Sequence, residues 1–270
     1  MKNSPHCLLI LVVLPAISLL TTQLQAQNWA VSAGWAASYI GDQHTSPLLY
    51  QSDALHLGGQ YNFSGESRFE IGLQIQIGTN QAQRHRRREG TFYEIPSLFE
   101  PQESYDYVVN PFFSRLGGRF FARLHWPIGE YSQLGIKAQV RYDLAGMAGD
   151  TWQFAQAHLG PSYRYKRPLH STGSLHFSAH LPLIATVVRP NWAVDASLPD
   201  ETNYFKGYLR TSTRLTSLHD LQNPQVQLGY QYQLQQGKAL RLDYQLEWLS
   251  YSQPRPLRMF EHGLRLSYLL

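Results

Sequence analysis

Residues 225–234 read Gln-Val-Gln-Leu-Gly-Tyr-Gln-Tyr-Gln-Leu, and residues 239–248 read Ala-Leu-Arg-Leu-Asp-Tyr-Gln-Leu-Glu-Trp. Val226, Leu228, Tyr230, Tyr232 and Leu234 alternate with Gln225, Gln227, Gly229, Gln231 and Gln233. Leu240, Leu242, Tyr244, Leu246 and Trp248 alternate with Arg241, Asp243, Gln245 and Glu247. Successive side chains of a strand point to opposite faces, so each segment has one apolar and one polar face. Each run is about ten residues, roughly twice the usual strand of a soluble protein. It is the length that crosses a bilayer at ~45° tilt.

The same dyad recurs along the chain. Leu55–Phe63 alternates with His56 and Gln60, Phe69–Ile77 with Arg68 and Glu70, and Leu116–Trp126 with Arg115, Arg119 and Arg123. Leu134–Tyr142 alternates with Lys137 and Arg141, and Leu175–Leu183 with His176 and His180. Weaker versions occupy Trp29–Tyr39 and Trp152–Tyr165, and a last strand, Leu257–Leu270, reaches the C-terminus. The pattern predicts an all-β fold: a single up-and-down antiparallel transmembrane β-barrel of ten strands over residues 27–270. Twelve strands is the alternative, because Tyr204–Ser217 alternates in part and could pair with Val187–Val194 as an extracellular hairpin or as extra membrane strands.

Connections and charge point the same way. Short turns at Ser64–Glu66, Ile128–Glu130, Lys166–Thr172 and Gln235–Lys238 alternate with longer links at Gly41–Ser52, Thr79–Asn110, Ala145–Asp150, Val187–Gln222 and Ser252–Pro256. Short periplasmic turns and longer outer loops are the layout of bacterial outer-membrane barrels, which close with an even strand count. Both termini are then periplasmic. The apolar faces of the clearly alternating segments lack Lys, Arg, Asp and Glu, whereas the polar faces are rich in them, as lipid outside and a lumen inside require. Aromatic side chains cluster near strand ends, with Trp29, Phe63, Trp126, Tyr232 and Tyr268 at one end and Tyr39, Tyr142, Trp248 and Phe260 at the other, as interfacial girdles do.

The N-terminus fits that compartment. Lys2, an apolar run Leu8–Leu20 and a polar Thr21–Ala26 form the three regions of a secretory signal peptide, 1–26, with cleavage expected after Ala26. At roughly 13 residues the run is short of the ~20 that a spanning helix needs. Cys7 is the only cysteine and lies before the run, so the mature protein is expected to have no thiol, disulfide or cysteine metal ligand.

With a signal ending Gln25-Ala26-Gln27 and strands rich in Tyr and Gln, the chain resembles the small outer-membrane β-barrels of Bacteroidetes. Its last residues, Phe260-Glu261-His262-Gly263-Leu264-Arg265-Leu266-Ser267-Tyr268-Leu269-Leu270, resemble the insertion signal read by the barrel-assembly machinery, with Leu270 where the commonest pattern has Phe. That resemblance implies recognition of this strand during assembly. It carries no activity.

Three sets of residues are candidates for function. The inward faces collect Arg68, Glu70, Arg115, Arg119, Arg123, Lys137, Arg141, Arg241, Asp243, Glu247, Glu261 and Arg265, along with Asp143, Arg164 and several histidines. In a ten-stranded lumen such charges are expected to pair into a plug; the alternative is a narrow, anion-preferring pore for small solutes. The basic run Arg84, Arg86, Arg87 and Arg88, in the outer loop 79–110, is a solvated loop or a contact for lipopolysaccharide phosphates. Arg189, Trp192, Arg210 and Arg214, in the loop 187–222, have the Arg-aromatic mixture of a docking surface for a lipoprotein or other outer-membrane partner. Nucleic acid is not expected as a partner, and no cofactor or metal is implied. His176 and His180 lie roughly 13 Å apart along one strand and cannot share a metal.

Enzyme readings fail on geometry. His219 and Asp220 are adjacent and would point to opposite faces, unlike the His-Asp couple of an omptin-like protease. No phospholipase signature is present. His262 is the one ionisable residue on an otherwise apolar face, ~19 Å above the C-terminal end and near the outer interface, but Ser178 and Ser267 lie on inward faces. The expectation is therefore a non-enzymatic structural, assembly or surface-docking barrel with a charged, largely plugged lumen.

Overall fold

The computed structural model describes residues 29–46, 48–63, 68–83, 88–93, 104–109, 112–147, 150–189 and 212–270. The expected signal peptide, Arg84, Arg86, Arg87, Trp192 and Arg210 lie outside the described residues, as does the side chain of Arg88. The strands are β1 (Trp29–Asp42), β2 (Leu49–Phe63), β3 (Arg68–Ala82), β4 (Arg88–Tyr93), β5 (Ser104–Val109), β6 (Phe112–Pro127), β7 (Ser132–Met147) and β8 (Asp150–His170). They continue with β9 (Gly173–His180), β10 (Ile184–Val188), β11 (Thr213–Ser217), β12 (Leu221–Gln222), β13 (Gln225–Gln233), β14 (Ala239–Tyr251) and β15 (Leu257–Leu269).

Ten of these close on themselves, as the alternation predicts. One line of partners runs from Arg68 of β3 through His125, Gly135, Ser162, His180, Gln225, Glu247, Glu261, Ser38 and Ser52, and returns to β3 at Asn80. Every neighbour pair is antiparallel, and the circuit comes back twelve residues further along β3. Ten strands with that stagger have a tilt of roughly 40° and a radius of roughly 10 Å at ~3.3 Å per residue and ~4.8 Å between strands.

The wall is irregular in one sector. β9 breaks at Leu181–Leu183 before continuing as β10, although the Leu181 and Leu183 amides still donate to Pro161 O (3.2 Å) and Leu159 O (3.0 Å). β11 pairs with β10, and β12 pairs with the top of β14. The pairing between the Val187 and Arg214 segments named in the twelve-strand alternative is therefore present, but it lies at one end of the wall and the closed circuit has ten strands. The long link between β3 and β6 carries a small hairpin, β4–β5, which alternation had not suggested.

Trp29, the first described residue, and Leu270 lie at what we term the lower end, where the Leu270 amide donates to Trp29 O (2.8 Å). The β6–β7, β8–β9 and β13–β14 turns lie at this end, and the β1–β2, β3–β6 and β14–β15 links lie at the upper one. The upper β7–β8 connection, expected as a longer link at Ala145–Asp150, is only two residues because β7 runs on to Met147 and β8 begins at Asp150. No helix among the described residues is long and apolar enough to cross a membrane; the strands do so. Outward Leu73, Ile75, Phe120, Ile136, Leu242 and Leu266 are each about half exposed, which water would not tolerate over a continuous belt but hydrocarbon favours. From Phe63 at the lower edge to the exposed Asp53 above, ten residues of β2 span roughly 25 Å along the barrel axis, the height of such a belt. Trp29, Tyr61, Phe63 and Phe69 form a chain of ring contacts at the lower edge, with centroids 4.6–5.2 Å apart.

Candidate functional site

The lumen is where the chemistry gathers. Alternation sends Arg115, Arg119 and Arg123 of β6 and Lys137 and Arg141 of β7 inward, making one basic wall. Arg119 faces Arg141, and Arg123 faces Lys137, directly across the strand pair. Like charges so placed repel, so they must be neutralised from elsewhere. Two of the acids, Glu247 of β14 and Glu261 of β15, come from the far wall, and a third, Asp143, stands on β7 itself. Arg119 spans the lumen to Glu247 (2.9 Å) and Glu261 (2.6 Å), and Arg141 reaches Glu247 (2.6 Å) and Asp143. Arg115 holds Asp143 (3.0 Å) and Glu261 (3.4 Å) and donates to Ser52 Oγ (3.1 Å). Asn223 Nδ2 donates to Glu247 Oε1 (2.8 Å), and Gln76 Nε2 to Glu261 Oε1 (3.2 Å). Charges in a low-dielectric interior are tolerable only when paired and hydrogen-bonded in this way.

Below that layer the pairing thins. Arg164 grips Glu70 with both terminal nitrogens (2.5 and 2.6 Å), while Arg123 is 3.7 Å from the same carboxylate. Arg241 (2.9 Å) and Arg265 (3.3 Å) share Asp243. Phe121 turns inward among these cations, and the bare Gly72 makes room for it: a Cβ there would lie 2.7 Å from Phe121 Cε1. Arg68 lies at the exposed lower end, outside the paired layer.

Above the charge layer the lumen changes character. Ile40, Tyr50, Met147, Trp152, Phe154, Leu249, Leu257 and Met259 face inward and pack into the main apolar cluster of the molecule. Over it lies buried Asp42, which accepts from Trp152 Nε1 (2.7 Å), the His44 amide (2.8 Å) and Arg189. Arg189 also donates to Gln253 O (2.8 Å) and Arg255 O (2.5 Å). Arg189 is therefore not part of an exposed docking surface: it is buried, because Asp42 and two loop carbonyls satisfy its guanidinium inside the upper mouth. Arg214 of the same set is exposed and touches Gln253 Oε1 (3.3 Å).

All twelve expected lumen charges except Arg68 thus meet in one interior network or its lower fringe. Asp42, Ser38, Ser52, Asn223 and the upper apolar cluster were not anticipated. His176 and His180 have separate partners, Ser174 Oγ (3.0 Å) and Pro161 O (3.0 Å). Among the described residues no three His, Cys, Asp or Glu side chains could hold a metal. His262 faces outward amid Trp35, Tyr244 and Phe260, with ring centroids 5.8–6.2 Å away, while Ser267 points into the lumen.

No family model matches the chain, and no curated protein matches it. Among solved structures it is similar to the β domain of the Bordetella autotransporter Brka, at 9% identity over 90% of this chain and 100% of that one, with a TM-score of 0.47. It is similar also to an outer membrane channel from Pseudomonas putida F1 (7% identity, 92% and 97% covered, TM-score 0.42). A third is Ail, the attachment invasion locus protein of Yersinia pestis (10% identity, 91% and 100% covered, TM-score 0.30). Likeness at this level carries no ligand or activity across to this chain.

Proposed function

We propose that the chain is an outer-membrane β-barrel that neither catalyses nor conducts, and serves as a structural, assembly or surface-docking component. The observation that carries this reading is the cross-lumen bonding of Arg119 and Arg141 to Glu247 and Glu261, with an apolar cluster packed directly above it. A solute crossing the barrel would have to separate buried ion pairs and then pass a dry layer, and hydrophobic constrictions stop ions by dewetting. Both termini in the periplasm is the orientation that the short turns support. The non-enzymatic reading draws on the separation of His262 from Ser178 and Ser267 by the barrel wall. Lipid and lipopolysaccharide surround such a barrel, and the C-terminal strand β15 is the segment offered to the assembly machinery. Its Tyr- and Gln-rich strands favour the Bacteroidetes type.

Reconstitution in planar bilayers tests the reading. No resolvable unitary steps are expected. Stepwise, anion-selective currents would replace it with the narrow-pore alternative, which the cation excess of the lower lumen favours. The docking part is tested apart from conduction: replacing Arg84, Arg86, Arg87 and Arg88 is expected to weaken lipopolysaccharide association, and unchanged association would sink that contact.

A further inference from the structure

Arg123 and Lys137 stand opposite one another across β6 and β7. The Lys137 ammonium donates to Gln225 Oε1 (2.5 Å) and lies 5.8 Å from the centroid of the Phe121 ring; among the described residues no carboxylate is within ion-pair distance. Arg123 lies over the same ring at 4.5 Å, and its one carboxylate, Glu70, is already gripped by Arg164. Buried Lys137 and the largely buried Arg123 therefore have a single carboxylate within ion-pair distance between them, and a third cation claims it.

Both cations line a cavity of about 60 Å³ at the lower face of the charge layer, together with Arg119, Gln139, Glu247 and Glu261, the two carboxylates being already paired with Arg119 and Arg141. Arg119 Nε, Arg123 Nε and Gln139 Nε2 are buried donors with no protein partner. His180 adds nothing to this donor set while neutral, since Pro161 O can only accept and the ring proton must sit on Nδ1. Orphaned donors are costly in an interior, and several beside Lys137, which has no carboxylate in ion-pair distance, and Arg123, which shares one, complement an acceptor bearing negative charge. A water needs about 10–15 Å³ of such space, so the cavity has room for a few waters or one anion of four or five heavy atoms. A second, smaller cavity shares Arg123, Ser178 and Gln227 with the first and continues past Arg164 and Arg241 toward the lower end. The upper apolar cluster lies on the other side of the charge layer.

We propose that this recess is a binding site for a small oxyanion of the phosphate class, ligated by Lys137, Arg123 and Gln139 and entered from the lower end. A blind site binds without transporting, so its failure and the failure of the non-conducting reading are separate results.

The test is calorimetric titration of the full mature barrel, folded in detergent, with inorganic phosphate at constant ionic strength in a bulky zwitterionic buffer. One saturable site is expected for the wild type. Lys137→Gln is expected to weaken it by at least about tenfold, as loss of a charge-assisted bond does, and Lys137→Arg to retain it. Gln139→Leu keeps every charge and is expected to weaken binding as well, which decides the matter should Lys137→Gln fail to fold. Absence of saturable binding to the wild type up to about 10 mM, or equal affinity in the Lys137→Gln and Gln139→Leu variants, would overturn the proposal.

Discussion

Replacing Glu247 with leucine removes the carboxylate on which Arg119 and Arg141 converge from the opposite wall. Glu247 is 5% exposed, forms an ion pair with Arg119 (2.9 Å) and accepts from Arg141 (2.6 Å) and Asn223 (2.8 Å). A surface pair lost in this way would cost ~0–1 kcal/mol. Here two guanidiniums remain buried with only Glu261 and Asp143 to share, and breaking a buried cluster by removing one partner costs about 3–5 kcal/mol. Adding Arg141→Leu removes one stranded charge, so the double variant is expected to be more stable than the two single effects imply, by about 2–3 kcal/mol of coupling. Urea unfolding in lipid vesicles, followed by tryptophan fluorescence, reads both quantities. With a slope of ~2 kcal/mol per molar, Glu247→Leu should lower the midpoint by roughly 2 M. A Glu247→Leu midpoint indistinguishable from wild type, or strict additivity in the double variant, would refute the cross-lumen bonding.

Other expectations are simpler. Leu73→Arg puts a charge on the lipid face of β3, where the side chain is 51% exposed; it should cost about 2–4 kcal/mol in vesicle unfolding, and a neutral result would place that face in water. Gly72→Ala drives a methyl into the Phe121 ring and should cost about 1–3 kcal/mol, a loss that Phe121→Leu in the same chain relieves. Trp152→Phe keeps the ring in the apolar cluster but loses the 2.7 Å bond to Asp42; about 2 kcal/mol is expected, as for a buried hydrogen bond to a charged group, and no change would mean the upper network contributes nothing.

Much of this fold was legible because a barrel wall is a one-dimensional code. Wherever lipid lies outside and charge inside, residues such as Leu240–Trp248 report strand, length and face together. The code fails where the lumen is dry. In the upper part of the barrel Ile40 follows outward Tyr39, Leu249 follows Trp248, and Met259 precedes Phe260, so both faces are apolar and the alternation blurs. Those adjacent apolar pairs are the available signal that the upper strands are buried on both sides, and Trp152–Tyr165 reads weakly because its inward face carries apolar Trp152 and Phe154.

Which charges lie inward was legible from parity, but who pairs with whom was not. Arg119 and Glu261 are neighbours only because the stagger of twelve residues brings β6 opposite β15, and no local pattern encodes that stagger. Arg189 was misread for a different reason: a loop position suggests exposure, while its partner Asp42 is supplied by the far end of β1. The break at Leu181–Leu183 and the lateral shift from β11 to β12 likewise depend on neighbouring strands.

The most direct test of the whole account is a spin-label scan of β15 from Leu257 to Leu269, one cysteine at a time in a Cys7→Ser background, since Cys7 is the only native cysteine. In lipid vesicles the account predicts a period of two. Phe260, His262, Leu264 and Leu266 positions should be relaxed by dissolved oxygen, whereas Leu257 and Met259 should be shielded from both oxygen and a water-soluble nickel chelate. A period other than two would contradict the barrel, and nickel access at Met259 would contradict the packed upper lumen.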